Sequence, residues 1–241
     1  MQPQLSPFDG VLLIDKPAGM TSHDVVDRVR RHFGFKKVGH CGTLDPAATG
    51  LLILVLERAT KLQDRLMSDD KAYEGTMLLG VSTDSQDADG AVIAEKLVPP
   101  LTEAEIDHAF AKFRGDIQQV PPMVSAVKHQ GTPLYKLSRK GKTVEREPRL
   151  IHIYDLRVLG LDLPRIQFRI ACTKGTYVRT LCSDIGDLLG CGAHLYNLRR
   201  TKSGKFDVKD AHSLEAIMKQ TREELKALII PILKLIGSDA A

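Results

Sequence analysis

Neighbouring strand-like runs in this chain stand too close together for parallel pairing. LIHIYDLRVLG, from Leu150 to Gly160, and RIQFRIACT, from Arg165 to Thr173, are separated by a short link, whereas a parallel crossover needs about a dozen residues or more. In the second run Ile166, Phe168, Ile170 and Cys172 share one face at the two-residue period of a strand. Further strands read from GVLLID, LLILVL and the alternating KAYEGTMLLG. Helical runs are interspersed without the regular repeat of a doubly wound parallel sheet. The sequence therefore predicts a mixed α/β fold of the α+β type, with a largely antiparallel sheet flanked by helices.

Three helices carry end signals. TSHDVVDRVRRHFG starts at Thr21 or Ser22, aligns Val25, Val26, Val29 and Phe33, and stops at Gly34. TEAEIDHAFAKFRG offers Thr102 and Glu105 as a capping box and Ile106, Phe110 and Phe113 for burial. TYVRTLCSDIGDLLG places Val178, Leu181, Cys182, Ile185, Leu188 and Leu189 on one face before Gly190.

The chain has 241 residues, 43% of them hydrophobic, and no low-complexity tract, so it can bury a core of one large domain. Cys41, Cys172, Cys182 and Cys191 form no C-x-x-C pair and have no histidine at zinc-ligand spacing. Reduced thiols in a cytoplasmic protein are the expected state, with no structural metal. No apolar run reaches the roughly 18 residues of a membrane helix, and the start lacks an export signal, so no membrane association is expected. Lys and Arg outnumber Asp and Glu only by 34 to 30. The excess concentrates in Pro121 to Arg149, where seven basic residues, among them Lys128, Lys136, Arg139, Lys140 and Lys142, face Glu145 and Glu147. A solvated excursion and a phosphate-gripping arm both fit that composition.

VGHCGTLDPAATG, Val38 to Gly50, sets a lone carboxylate, Asp45, among three glycines and a proline. Pro46 biases Asp45 toward extended backbone and the glycines permit unusual turns, so the carboxylate is presented rather than buried. An Asx turn accounts for it without chemistry. The motif lacks the acidic partner of metal-assisted phosphoryl transfer or of a two-carboxylate glycosidase, and the chain lacks dinucleotide, P-loop and G-x-S-x-G signatures. What remains for chemistry is an Asp acting as nucleophile or base, held ionised by a cation.

GVLLIDKPAGMTSHDVV, KVGHCGTLDPAATGLL, ATKL, DKAYEGTMLLG, TDSQDADG, CTKGTYVRTL and CGAHLYNLRRTKSGKF resemble, in this order, the TruB family of pseudouridine synthases, which isomerise the T-loop uridine of tRNA. The resemblance covers about Gly10 to Phe206. It implies Asp45 as nucleophile, Arg179 as its paired cation, and Tyr73 as the ring that stacks on the target base and whose hydroxyl serves as base. His40 matches the position that fills space vacated in the RNA when the uridine flips out. Tyr177 and Leu198 match positions lining the uracil pocket, although core packing explains either as well, and Lys61 matches a phosphate contact or a solvated helix residue. The basic segment falls where the family inserts its RNA-gripping arm.

The resemblance further implies a monomer acting on the tRNA T-arm, without cofactor or metal. Cys41 and Ala47 depart from the family's more frequent Thr and Leu. The expected organisation is one catalytic domain over residues 1–241, with the arm at about 121–149 and no C-terminal PUA-type domain, since the roughly 35 residues after Phe206 are too few. A guide-RNA-dependent synthase and a noncatalytic RNA-binding or RNA-folding protein on the same scaffold are the alternatives.

Overall fold

The computed structural model describes residues 5–125 and 127–236. In chain order it contains β1 (Gly10–Lys16), α1 (Ser22–Phe33), β2 (Val38–His40), β3 (Thr49–Leu56), a 3-10 turn (Glu57–Leu62), α2 (Gln63–Met67), β4 (Lys71–Leu79), β5 (Val81–Thr83), β6 (Val92–Glu95), α3 (Glu103–Ala111), β7 (Gly115–Gln119), β8 (Lys128–His129), β9 (Thr132–Pro133), α4 (Leu134–Ser138), β10 (Arg149–Asp162), β11 (Arg165–Cys172), α5 (Val178–Leu188) and β12 (Ala193–Ser203). Short turns of helix and strand follow to Ile236. The chain divides into two compact units, one of residues 1–71 and 199–241, the other of residues 72–198.

In the first unit β1 and β3 pair antiparallel along their whole length, from Gly10 with Leu56 to Lys16 with Gly50. Val11 to Ile14 and Leu51 to Leu56 are all buried; near-continuous apolar strands of this kind need cover on both faces. Val11, Leu13, Leu51, Ile53 and Val55 pack with Cys41, Leu66 and Phe206. β2 pairs antiparallel with the end of β3, and Arg199 and Arg200 of β12 pair parallel with Thr49 and Gly50 at its start. The helix read at Thr21 is α1, with Thr21 and Asp24 as a reciprocal capping box, Gly34 as a left-handed C-cap, and Val25, Val26, Val29 and Phe33 buried.

The second unit orders its strands β12-β4-β11-β10-β7, with β10 antiparallel to both β11 and β7. One face of this sheet is covered by α3 and α5. Ile166, Phe168, Ile170 and Cys172 pack there with Ile106 and Phe110 of α3 and with Val178, Leu181, Cys182 and Ile185 of α5. β10 buries Ile151 and Ile153 but then Leu156, and the change of phase coincides with a register shift between Ile153 and Asp155. One extra residue in the strand moves every following side chain to the other face, which returns Leu156 to the core.

Two helix expectations need correction. Phe113 lies beyond the end of α3 at Ala111 and packs, partly buried, from the following turn. Leu188 is 45% exposed. At 3.6 residues per turn it sits roughly 70° off the centre of the α5 stripe, whereas Leu189 falls near that centre and packs against the core.

Candidate active site

In the first unit Asp45 sits half-buried in the connection between β2 and β3. The Cys41 N–H donates to the Ile53 carbonyl at 2.9 Å, carrying the ladder into the loop. Gly42 and Gly50 hold φ of 90° and 96°, backbone that only glycine adopts without strain. The buried Ser22 hydroxyl accepts from the Leu44 N–H at 2.8 Å and donates to the Leu44 carbonyl at 3.1 Å, which fixes the residue before Asp45 to the first turn of α1. On the other side the Ala48 N–H closes a turn on the Asp45 carbonyl at 3.1 Å.

Two fully buried cations brace the same loop. The Lys16 ammonium donates to the carbonyls of Pro17, Met20 and Pro46 at 2.9, 2.6 and 3.2 Å. The Pro46 carbonyl also accepts from the Gly19 N–H at 2.9 Å. Arg200 donates through Nε to the Leu51 carbonyl at 2.7 Å and through Nη2 to the Gly42 carbonyl at 3.1 Å. Both side chains are nearly inaccessible to water, so their charge is little screened where it meets the loop. Burial brings the Lys16 ammonium down from its usual 10.5 to about 8, against the attraction of the Asp45 and Asp24 carboxylates.

A stability signature follows from Lys16. Between about pH 8 and the unfolded-state value, the folded chain has released the Lys16 proton while the unfolded chain still holds it, so this group adds stability as pH rises. In urea unfolding, the midpoint of the wild type should gain on that of Lys16→Met between pH 8 and 10. Parallel midpoints would show that the ammonium titrates normally.

His40 ends β2, half-buried, and its Nδ1 has no hydrogen-bond partner among the described residues. Burial, then the charges of Arg200 and His23, lowers its pKa, leaving a neutral imidazole at pH 7. Lys61 is exposed in the 3-10 turn after β3. Cys41 is inert: burial pushes its thiol up to about 12, and all four cysteines are buried free thiols.

In the second unit Tyr73 on β4 and Leu198 on β12 both pack, partly buried, against the core under α5. Gly75 lets β4 and β12 come together, since a Cβ there would meet the Asn197 carbonyl, the Phe168 ring and Leu198. Tyr177 is the N-cap residue of α5 and Arg179 lies in its first turn. Arg179 is 6% exposed. Its Nη1 meets Asp87 Oδ2 at 3.1 Å, its Nη2 donates to the Val124 carbonyl at 2.7 Å, and its guanidinium lies 5.9 Å from the centre of the Tyr177 ring. Asp87 is itself oriented by the Ser85 hydroxyl and the Asp89 N–H. The Thr180 hydroxyl donates to Gln86 Oε1 at 2.7 Å, so the TDSQDADG loop grips two successive residues of α5. Lys128, Lys136, Arg139, Lys140 and Lys142 are exposed on a hairpin of β8 and β9, on α4 and just beyond it. Leu134, 1% exposed, anchors that excursion.

Residues 30–178 match the model of the TruB family pseudouridylate synthase N-terminal domain, and residues 179–236 match that of the tRNA pseudouridylate synthase B C-terminal domain. The chain belongs to the TruB family of pseudouridine synthases. It is 55% identical to the tRNA pseudouridine synthase B of Opitutus terrae over 93% of both chains. It is 48% identical to that of Syntrophotalea carbinolica over 93% of this chain and 74% of the relative. Among solved structures, a Cbf5-Nop10-Gar1 complex contains a chain 31% identical over 93% of this one, with a TM-score of 0.75, and the match spans 60% of that longer chain. The TruB fold thus accounts for the mixed architecture, and TruB enzymes are isomerases.

Three residues of this TruB chain escape sequence reasoning although they hold candidate site residues, Lys16 and Arg200 the Asp45 loop and Asp87 the Arg179 guanidinium. Lys16 ends β1 and Arg200 lies within β12, and both are buried, Lys16 against the Met20 carbonyl and Arg200 against the Leu51 carbonyl. A cation closing a strand that is apolar from Val11 to Ile14 was the available signal for Lys16. Asp87 sits in a loop with several acids, and only the fold distinguishes the one that meets Arg179.

Proposed function

We propose that this chain converts the T-loop uridine at position 55 of tRNA to pseudouridine, with Asp45 as nucleophile. The observation that carries the reading is the 55% identity, over nearly the whole of both chains, to a relative named tRNA pseudouridine synthase B. The reaction must break the N1–C1′ bond, turn the uracil, join C5 to C1′ and discard the C5 proton. None of these steps is a redox or phosphoryl transfer. Asp45 supplies the nucleophile that adds to uracil C6 or captures C1′. A glycal route with proton loss at C2′ uses the same carboxylate as base. Arg179 keeps that carboxylate ionised and aimed, a two-point task for which a planar guanidinium is suited. The Tyr73 ring stacks on the base and its hydroxyl takes the departing proton. The uridine is flipped out of its loop at about a few kcal/mol, His40 fills the space it leaves, and Tyr177 and Leu198 line the uracil.

The remaining contacts are to phosphate, from Lys61 and from the arm. A groove of about 570 Å³ beside β2 is lined by Arg30, Lys36 and Lys37 together with Asp27, which pairs with Arg30, and so offers an excess of positive charge. The enzyme works as a monomer on free tRNA in the cytoplasm and needs no cofactor or metal. Identity to named tRNA enzymes exceeds the 31% shared with the Cbf5-complex chain, which favours this reading over a guide-RNA-dependent one. Carbodiimide treatment and primer extension on a tRNA transcript incubated with the protein should show a stop at uridine 55. A stop elsewhere, or none, would overturn the choice of uridine.

If the arm holds phosphates, replacing Lys136, Arg139, Lys140 and Lys142 together by Ala should weaken tRNA binding and leave the single-turnover rate nearly intact, because such contacts serve substrate and transition state alike. Each lost phosphate contact should flatten the slope of log K against log salt by about 0.7 to 0.9. Binding measured at several salt concentrations checks this. Parallel slopes for the two proteins would return the arm to a solvated excursion.

A further inference from the structure

We infer that Gln119 is a positioning residue, a clamp between the root of the basic arm and the start of α5 that sets Tyr177 and Arg179. This rests on the reading of the chain as a tRNA pseudouridine synthase. Gln119 ends β7, immediately before the arm, and is 2% exposed. Its carboxamide bonds the backbone of one residue twice: Nε2 donates to the Tyr177 carbonyl at 3.0 Å, and Oε1 accepts from the Tyr177 N–H at 2.8 Å. Tyr177 is the N-cap of α5 and makes no side-chain cap bond of its own. The amide of Gln119 therefore supplies from outside the fixation that a capping side chain gives elsewhere. Five residues further along the same segment the Val124 carbonyl accepts from Arg179 Nη2 at 2.7 Å. One strand exit thus touches α5 at two points two residues apart. Gln119 fixes the backbone of Tyr177, whose ring faces the Arg179 guanidinium at 5.9 Å, and Val124 fixes the guanidinium directly.

The clamp joins two parts that have separate tasks. The arm that follows it carries exposed cations, and α5 carries the buried guanidinium assigned to catalysis. A bond pattern that needs one donor and one acceptor in fixed positions is satisfied by an amide and by no charged or apolar residue of similar size. Gln119→Met keeps the shape and removes both bonds, so it should slow the single-turnover reaction by about tenfold or more while tRNA affinity stays within about threefold. Gln119→Glu keeps the acceptor but turns a carboxylate oxygen toward the Tyr177 carbonyl. Protonation restores a donor there, so the rate of this variant, relative to wild type at each pH, should recover as pH falls from 8 to 5.5.

The test measures tritium release from tRNA labelled at uracil C5 under single-turnover conditions, together with tRNA binding and thermal midpoints. An unchanged rate for a folded Gln119→Met, or a rate loss matched by an equal loss of affinity, overturns the clamp. If Gln119→Met does not fold, the Glu variant decides: a ratio to wild type that stays flat with pH overturns it. Failure of the wild type itself to release label would contradict the assigned activity and is distinguishable from either result.

Discussion

Asp45→Asn is expected to abolish isomerisation while leaving tRNA affinity within about tenfold of wild type. Asn is nearly isosteric, and the loop has several anchors that the substitution leaves untouched: Ser22 on Leu44, Lys16 on Pro46, Arg200 on Gly42 and the Ala48 N–H on the Asp45 carbonyl. The substitution thus removes a bond-forming oxygen and keeps those anchors in place. Because a nucleophile acts only as the reaction proceeds, its loss falls on the chemical step and not on binding. Retention of even about a tenth of wild-type turnover in a single-turnover assay would remove Asp45 from the nucleophile's role.

Arg179→Lys is expected to cost about a hundredfold or more in rate although charge is preserved. Arg179, itself 6% exposed, spreads its donors over Asp87 Oδ2 and the Val124 carbonyl. An ammonium is a compact point charge on a flexible stem and cannot reproduce a planar fork. The same shortfall applies to the carboxylate of Asp45 if Arg179 serves as its cation. Tritium release by the purified variant checks this, with tRNA binding measured alongside. A near-normal rate would show that the guanidinium has only a structural task.

Much of this was legible before the fold was known, and the parts that were not have physical reasons. α1 and α3 announced themselves through capping boxes at Thr21 and Thr102, since caps are local and depend on few residues. β11 was legible because one of its faces is wholly apolar. β12 was not: beyond Leu195 its residues Asn197, Arg199, Arg200 and Lys202 show no apolar alternation, and its strand conformation rests on its ladder partners. Arg200 within it is 1% exposed, which inverts the usual reading of a basic doublet as surface. Asp45, Tyr73 and Arg179 were assigned through motif resemblance alone, and residue chemistry had left an Asx turn open for Asp45. Gln119 gave no sequence signal, because its partner Tyr177 lies 58 positions away.

Incubation of the purified chain with unmodified tRNA tritiated at uracil C5, in the presence of no other RNA or protein, tests the assigned reaction most directly. Every route open to Asp45 ends in loss of the C5 proton, so label should pass to water in an amount equal to one uridine per tRNA, and Asp45→Asn should release none. Tight binding without release would identify a noncatalytic RNA-binding protein, and release only after addition of a guide RNA would place the chain in the guide-dependent branch; either result would contradict a stand-alone tRNA uridine isomerase.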